Sequence, residues 1–306
     1  MPHEPFPDSP VSVAVQSVLY LTPVPSLLRM LEALDNSASV GKTELMCERI
    51  VVVLGDASPT RLVAEQELEE MRSRFTHLDE IVYTYFGENV GTSRGHNLLA
   101  ALSDTDLVVF SNPDVVCDAR APWRMASVLN DPTVGMVEAK QLPVEHPKEY
   151  DPSTGLTSWA TTAFAMTRRE VFDRLEGFDA QTFFMYCDDV DYSWRVREAG
   201  LGVVFHPAAV VFHDKRLHVD GSWMPTSAEH FFSAQAALLL AHKWSRDDVV
   251  ERVMKQYQKS GIPQQASAVE EFVRRRDEGG LVRPHDPENT IGTFVGYRYT
   301  EHRFEL

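Results

Sequence analysis

The chain carries Arg49-Ile-Val-Val-Val-Leu54, a short apolar run rich in β-branched residues, and directly after it the polar turn Gly55-Asp-Ala-Ser58. Such a run is typical of a strand that is buried on both faces of a parallel sheet. An amphipathic stretch at 60–75 follows, with glutamates in its middle and arginines mostly later, as the helix dipole prefers. A strand, a polar turn and a helix are therefore predicted in this order.

The same order is repeated on both sides of this unit. Strands are predicted at 11–19, 81–86 and 106–110, and helices at 26–34 and 92–102. Alternating strands and helices predict an α/β fold with a mostly parallel central sheet, helices on both faces and right-handed crossovers. In such sheets ligands bind beyond the carboxyl ends of the strands, so the polar turns at these ends are the first candidates for a site.

The composition is that of an ordinary globular protein, with 306 residues, 43% of them hydrophobic, and a formal charge of −16. The acidic balance disfavours nucleic acid as the main partner, because binding to phosphates needs clustered lysine and arginine. Cys47, Cys117 and Cys187 have no metal-like spacing and are predicted to be bland thiols of a reducing compartment. The first ten residues lack the apolar core of a signal peptide, and the apolar run at 236–241 is too short to cross a bilayer. We therefore expect a cytoplasmic protein with at most peripheral membrane contact.

Three carboxylates, Asp188, Asp189 and Asp191, stand at the predicted start of a helix that ends at Gly200. One explanation is structural, since acids stabilise the first turn of a helix and Asp191 and Arg195 have the i,i+4 spacing of a surface ion pair. Another is functional, because aromatic residues precede the cluster and apolar surroundings raise a carboxyl pKa toward that of a catalytic base. For Asp191 alone both explanations stay open, whereas the cluster as a whole favours function.

The segment 161–200 resembles the acceptor-side signature of the family 2 inverting glycosyltransferases, which have the nucleotide-sugar-binding GT-A fold. The likeness is carried by Thr161-Thr-Ala-Phe-Ala-Met-Thr-Arg-Arg-Glu-Val-Phe-Asp-Arg-Leu-Glu-Gly-Phe-Asp179, by the aromatic stretch and acidic cluster after it, and by Ala199-Gly200. The resemblance covers about residues 11–245. It implies that Asp189 is the general base, with Asp188 as its neighbour and the alternative base.

The resemblance also implies a division of the chain. Residues 1–228 are expected to form the GT-A domain, with a nucleotide-binding half at about 11–115 and an acceptor half at about 116–228. Residues 229–306 carry long helical patterns and are expected to form a C-terminal helical extension.

The turn after the predicted strand at 106–110 stands where the family carries a metal-binding Asp-x-Asp motif. This chain has Asn112-Pro-Asp114, a variant similar to that of rhamnosyltransferase-type members, although these residues also suit an ordinary turn. The resemblance implies that Asp114 binds Mg²⁺ or Mn²⁺ through oxygen and that Asn112 lies beside the donor. His213, after the apolar run 208–212, is the expected second metal ligand, although a lone histidine at a strand end is commonly structural.

On the nucleotide side, Asp56 and Ser58 resemble the family's acidic turn that holds the base and the ribose, although the residue order differs. The segment Asn89-Val-Gly-Thr-Ser-Arg-Gly-His-Asn97 resembles one in which small residues let a helix start approach the nucleotide; a simple helix-start loop is the alternative. The resemblance implies donor contacts by Asn97, by Arg94 at the diphosphate and by Gln16 on the first strand.

The activity that the resemblance implies is the inverting transfer of a sugar from a dTDP- or UDP-sugar to an acceptor hydroxyl, with a deoxysugar such as rhamnose favoured. Trp159, Asp191 and Trp223 are expected on the acceptor side, although a buried aromatic is the commoner use of tryptophan. The acceptor stays open between a carbohydrate, a lipid-linked and a small molecule. The C-terminal helices are candidates for contact with the acceptor, a membrane surface or a second subunit.

Two other functions stay open at this stage. The missing first aspartate of the metal motif makes a catalytically silent nucleotide-sugar-binding protein conceivable. A sugar nucleotidyltransferase also binds a nucleotide on an α/β sheet, but the chain has no Gly-rich triphosphate loop near 13–21.

Overall fold

The structure, a computed structural model, describes residues 7–146, 148–215 and 225–300. Within these residues the eight strands are β1 (Val11–Leu19), β2 (Cys47–Asp56), β3 (Glu80–Tyr85), β4 (Leu107–Ser111), β5 (Val115–Cys117), β6 (Val134–Leu142), β7 (Phe164–Arg168) and β8 (Gly202–His213). The nine helices in the same part of the chain are α1 (Val24–Thr43), α2 (Glu65–Arg74), α3 (Gly91–Ala100), α4 (Ala121–Val128), α5 (Arg169–Arg174), α6 (Asp188–Glu198), α7 (Ser227–Lys243), α8 (Asp247–Lys259) and α9 (Pro263–Asp277).

These strands form one sheet in the order β3-β2-β1-β4-β7-β6-β8-β5. β1 is parallel to β2 and β4, β2 is parallel to β3, and β6 is parallel to β8. β7 is antiparallel to both β4 and β6, and β5 is antiparallel to β8. It follows that β1 to β4, β6 and β8 all run in the same direction and bring their carboxyl ends to one edge. The α/β fold with a mostly parallel sheet is thereby confirmed.

The regular first part of the chain follows its prediction closely. β1 has the predicted bounds, and β2, β3 and β4 differ from theirs by at most two residues at either end. α1 runs on to Thr43, beyond the predicted end, because its last turns bury small side chains and bring Gly41 against the ring of Trp123. β5, α4 and β7 were not predicted, since each is too short to give a clear periodic pattern.

The C-terminal helices share a hydrophobic core with the acceptor half of the chain. Trp194 of α6 packs edge-on against Trp244, which follows α7, with ring centroids 5.2 Å apart. Leu239 and Leu240 of α7 and Phe272 of α9 are buried in the same cluster. Burial of each such side chain stabilises the fold by about 1.5–3 kcal/mol, so α7 to α9 are held firmly against α6.

The remaining predictions about thiols and membranes can be compared with the structure directly. The three cysteines are buried thiols, and burial raises the pKa of Cys47 and of Cys117 to about 12, which keeps them protonated at neutral pH. Among the described residues, no helix combines the length and the apolar character needed to cross a bilayer.

Candidate active site

Asp188 and Asp189 begin α6 immediately after a strained turn. Tyr186 has φ 65° and Cys187 has φ 55°, so two consecutive non-glycine residues adopt the left-handed conformation. Such residues cost about 1–3 kcal/mol each and persist only where the surroundings hold them, which is common at functional sites. This turn gives the two carboxylates their direction.

Asp188 is fixed by the first turn of α3. Its Oδ2 accepts hydrogen bonds from Thr92 Oγ1 at 2.8 Å and from Ser93 Oγ at 2.9 Å, and the residue is only 4% exposed. Burial, together with the charge of Asp189, raises the pKa of Asp188 to about 6. Asp189 is partly exposed and accepts the backbone N–H of Val190. Asp188 is thus locked in place, whereas Asp189 has access to solvent.

The start of α3 also holds the backbone ahead of α6. The N–H of Thr92 donates to the carbonyl of Phe184 at 2.9 Å. Gly91 has φ +72°, and a Cβ on it would stand 2.2 Å from the same carbonyl oxygen, so the close approach requires glycine. Because α3 follows β3, this contact places Asp188 and Asp189 at the edge where the parallel strands end.

Asp191, from the same helical turn, has a different environment. It is fully buried; its Oδ2 lies 2.9 Å from Arg195 Nε, and its Oδ1 lies 2.7 Å from Lys243 Nζ and 3.0 Å from Trp244 Nε1. The predicted i,i+4 pair with Arg195 therefore exists, but it is not a surface pair. All of its neighbours come from the protein interior, so we withdraw Asp191 from the expected acceptor-binding residues.

His213 and Asp114 meet at the carboxyl ends of β8 and β4. His213 Nε2 lies 3.4 Å from Asp114 Oδ1 and 3.4 Å from Asn112 Nδ2, while its Nδ1 lies 2.7 Å from the buried amide oxygen of Gln141. An amide oxygen only accepts hydrogen bonds, so this contact assigns the proton to Nδ1 and leaves the lone pair of Nε2 directed toward Asp114. A neutral imidazole of this tautomer beside a carboxylate is a suitable pair of ligands for a divalent cation.

Other carboxylates and thiols do not add to this pair. Among residues 7–146, 148–215 and 225–300, no three His, Cys, Asp or Glu side chains are grouped closely enough to hold a metal ion. Within these ranges the candidate metal ligands are therefore the pair Asp114 and His213.

The predicted nucleotide contacts Asp56 and Ser58 have structural partners. Asp56 is fully buried and accepts hydrogen bonds from the N–H groups of Ser58 and Leu62 and from the hydroxyl of Tyr83. Ser58 Oγ, also fully buried, accepts the N–H of Leu21 at 2.9 Å. Both side chains thus organise the loop after β2, so any donor contact here would come from the loop that they shape.

Two further donor candidates are turned inward. Gln16 is fully buried, and its amide lies within hydrogen-bond distance of the α3 backbone at His96 and Ala100. The Asn97 amide accepts the N–H of Phe178 at 2.8 Å and donates to the carbonyl of the same residue at 2.7 Å. Both amides are engaged by backbone groups, and contacts of Gln16 and Asn97 with a donor stay predictions.

The other candidates differ in accessibility. Arg94 has an exposed side chain that pairs with Glu88 at 3.0 Å, and it is free to turn toward an anion. Trp159 is 2% exposed and packs edge-on against Tyr299 with ring centroids 5.0 Å apart, and its contact with an acceptor sugar stays a prediction. Trp223 lies outside the described residues.

Sequence patterns missed four side chains that hold the site together. Thr92 and Ser93 lie inside the quoted 89–97 segment, so their hydroxyls were visible but had no predicted partner. Gln141 and Lys243 lie far along the chain from His213 and Asp191, and no local spacing links them. Contacts of this kind become apparent only when the strands and helices are assembled.

No protein-family model matches the chain. The rhamnosyltransferase WbbL of Escherichia coli K12 is 36% identical over 74 residues, covering 23% of this chain and 28% of that protein. The N-acetylglucosaminyl-diphospho-decaprenol L-rhamnosyltransferase of Mycobacterium tuberculosis H37Rv is 27% identical over 146 aligned positions, covering 36% of this chain and 47% of that protein. The chain thus spans less than half the length of either relative.

Solved structures resemble the chain over most of its length. The mannosyltransferase PcManGT of Pyrobaculum calidifontis, in complex with GDP-Man and Mn²⁺, has a TM-score of 0.60 at 15% identity over 94% of this chain and 85% of that one. GalNAc-T7 with UDP, GalNAc and Mn²⁺ has a TM-score of 0.61 at 13% identity, over 88% of this chain and 55% of that one. TarS of S. aureus has a TM-score of 0.54 at 11% identity, over 89% and 50%. The chain therefore has the fold of these glycosyltransferases, and part of its sequence is similar to that of the two rhamnosyltransferases.

Proposed function

We propose that the chain transfers a sugar, with inversion, from a nucleoside-diphosphate sugar to an acceptor hydroxyl. The observation that carries the proposal is the presence of two carboxylate sites at the same edge of the sheet, Asp188 with Asp189 and Asp114 with His213. One pair suits proton transfer and the other suits a cation beside a diphosphate. A single displacement needs both functions at once.

Asp189 is the proposed general base. It is the accessible member of its pair, whereas Asp188 is covered and fixed by two hydroxyls. Asp189 would take the proton of the acceptor hydroxyl while that oxygen attacks the anomeric carbon from the face opposite the nucleotide. Asp188 is its neighbour and remains the alternative base. One displacement assisted by one base inverts the anomeric centre.

Asp114 and His213 fit a divalent cation, Mg²⁺ or Mn²⁺. The carboxylate offers oxygen, and His213 offers the Nε2 lone pair whose direction Gln141 fixes. When bound, the cation offsets the charge that develops on the departing nucleoside diphosphate. The Asn-Pro-Asp variant leaves Asn112 as a neutral neighbour, so the site carries one negative charge fewer than an Asp-x-Asp site. PcManGT and GalNAc-T7, both described with Mn²⁺, support this assignment.

The proposed donor is a dTDP- or UDP-sugar, with a deoxysugar such as rhamnose favoured by the names of the two relatives in sequence. Asn112 and Asp114 are the proposed contacts at the diphosphate side, and the exposed Arg94 is a further proposed contact of the diphosphate. Asp56 and Ser58 would act indirectly, by shaping the loop against which the nucleotide rests.

The proposed acceptor is a lipid-linked sugar, as the decaprenol in the name of one relative suggests. A carbohydrate or small-molecule acceptor is the alternative. A lipid-linked acceptor would require peripheral contact with a membrane surface. The C-terminal helices are the candidates for that contact or for contact with a second subunit.

The test is donor turnover with Mn²⁺ and with EDTA. We expect the nucleoside diphosphate to be released from the cognate donor with Mn²⁺ and not with EDTA, and NMR of the transfer product to show the inverted anomer. Asp114→Ala should lower turnover at least about 100-fold, because a bound cation contributes several kcal/mol to the barrier. Asp104→Ala, at a surface aspartate paired with Arg49, is the control and should keep full activity.

Two results would overturn the proposal. Donor binding in a thermal-shift assay without Mn²⁺-dependent release would favour a silent nucleotide-sugar-binding protein. A product of retained configuration would exclude the single displacement.

A further inference from the structure

Lys243, the last residue of α7, contacts two carboxylates at once. Its Nζ lies 2.7 Å from Asp179 Oδ2 and 2.7 Å from Asp191 Oδ1. The lysine side chain is 12% exposed, and those of Asp179 and Asp191 are 20% and 0% exposed. We call this three-residue contact the Lys243 bridge.

The two carboxylates stand at opposite ends of the segment that carries the proposed base. Between them lies the base loop, residues 180–190, which contains the left-handed pair Tyr186 and Cys187 as well as Asp188 and Asp189. One ammonium group therefore closes the base loop at both ends. Left-handed residues persist only when their surroundings hold them. The contacts of Lys243 at both ends of the base loop therefore help to maintain the conformation of the loop.

The contacts at the Asp179 end show how the bridge is supported. Asp179 Oδ1 accepts the N–H of Thr182, and its carbonyl accepts the N–H of Phe183, so the first residues of the base loop follow the position of this aspartate. Burial raises the pKa of Asp179, but the Lys243 ammonium and the Thr182 contacts outweigh it and hold that pKa below its ordinary value. Asp179 is therefore negatively charged, and the ammonium group of Lys243 compensates this charge.

The Asp191 end has additional partners. Arg195 and the indole N–H of Trp244 also bind Asp191, so this carboxylate remains compensated if the lysine is lost. Phe184, inside the base loop, stacks on Phe232 of α7 with ring centroids 4.8 Å apart. α7 therefore contacts the base loop in the middle as well as at its ends.

We propose that Lys243 is a positioning residue for the base: the Lys243 bridge makes the C-terminal helices part of the catalytic unit by fixing the direction of Asp189. The proposal rests on the proposed function for its kinetic effect, but the loop-holding role stands on geometry alone. Lys243 touches neither substrate nor reacting atoms.

The test combines kinetics with amide hydrogen exchange. Lys243→Met should lower kcat about 100-fold, as expected for a catalytic group displaced by about 1 Å, and leave the KM of the donor nearly unchanged. Peptides that cover residues 180–190 should exchange faster than in the wild type. Lys255→Met removes an exposed lysine–glutamate pair from α8 and should change neither kcat nor the amide exchange of residues 180–190.

A second variant separates positioning from simple stability. Lys243→Met with Asp179→Asn removes both charges, so the melting temperature should recover toward that of the wild type while kcat stays low and the base loop still exchanges faster. If kcat recovers with stability, or if exchange of residues 180–190 is unchanged in both variants, the proposal is wrong. Absence of turnover in the wild type would refute the proposed function, and the exchange measurement would then decide on the Lys243 bridge by itself.

Discussion

The first turn of α6 holds carboxylates in two opposite environments. Asp191 is surrounded by Lys243, Arg195 and the indole N–H of Trp244. Asp188 is also buried, but its neighbours include the hydroxyls of Thr92 and Ser93 and the negative charge of Asp189, and its pKa is raised to about 6. Three residues of chain therefore separate a structural counter-ion from a group suited to proton chemistry.

The difference lies in what compensates a buried charge. Cations offset the desolvation of Asp191, and each of them also binds a second part of the chain, so the carboxylate holds the fold together. The hydroxyls beside Asp188 offset the desolvation of its carboxylate only in part, and the proton affinity of Asp188 rises as a result. Both residues are aspartates of the first turn of α6, and their partners distinguish their roles.

The largest effect is expected for Asp189→Asn. An asparagine keeps the shape but removes the proton acceptor, so kcat should fall about 1,000-fold, or about 4 kcal/mol in the barrier, while the melting temperature stays within a few degrees. Initial rates of transfer with saturating donor, together with thermal unfolding, measure both quantities.

Asp247→Asn is the matched control for this substitution. Asp247 also stands in the first turn of a helix, α8, but it is exposed and far along the chain from the base loop. Near-wild-type transfer by Asp189→Asn, with normal folding, would remove Asp189 from the role of base and leave Asp188 as the candidate.

Asp191→Asn should act on stability first. The substitution removes the buried negative charge that Lys243 and Arg195 share, so the free energy of unfolding should fall by about 3 kcal/mol. This value is at the lower end for a broken buried ion pair, because the asparagine still accepts a hydrogen bond from Trp244. Chemical denaturation at pH 7 measures the change.

Glu251→Gln breaks an exposed pair with Lys255 and should cost less than about 1 kcal/mol. An equally small effect of Asp191→Asn would mean that the cations around Asp191 contribute little, and the contrast within the first turn of α6 would then lose its energetic basis.

Asp188→Asn should change how stability depends on pH. The pKa of Asp188 is about 6 in the folded protein, above the ordinary aspartate value of 3.8, so the folded state binds more protons than the unfolded chain between these values. Stability from this group is complete below pH 4 and is lost as the pH rises toward and through 6, by up to about 3 kcal/mol. The variant should lack this loss, and denaturation curves from pH 4 to 7.5 measure it.

The wild type and Asp188→Asn should therefore diverge in stability as the pH rises. If the two proteins keep a constant difference in unfolding free energy over this range, Asp188 does not titrate there, and its hydroxyl partners compensate its charge as fully as the cations compensate that of Asp191.

The contrast also marks what a sequence pattern predicts and what it does not. The apolar runs of β1, β2 and β4 gave their positions to within two residues, because strands buried on both faces need continuous apolar sequence. The acidic cluster at the start of α6 and the meeting of His213 with Asp114 follow from strand ends that share an edge. These features depend on local pattern and on sheet direction alone.

The roles of individual polar residues were predicted less well, because they depend on distant partners. Asp191 is a counter-ion because α7 brings Lys243 to it, and the amides of Gln16 and Asn97 contact the backbone of α3 and of Phe178. No spacing within one segment contains that information. Burial of a polar side chain was the decisive quantity in each case, and it is set by packing between elements far apart in sequence.

The smallest effect tests the backbone that holds the base loop against α3. Gly91 and Gly87 both have positive φ, +72° and +75°, but a Cβ on Gly91 would stand 2.2 Å from Phe184 O, whereas one on Gly87 would meet nothing within 4 Å. Gly87→Ala should cost about 1 kcal/mol of unfolding free energy from its left-handed conformation alone, and Gly91→Ala about 2 kcal/mol. Only Gly91→Ala displaces Phe184. This substitution alone should therefore lower kcat and speed amide exchange in residues 180–190. Equal effects of the two substitutions on kcat would mean that the base loop does not depend on the close approach of Gly91 to Phe184, and the fixed position of Asp188 would then have to come from the hydroxyls of Thr92 and Ser93.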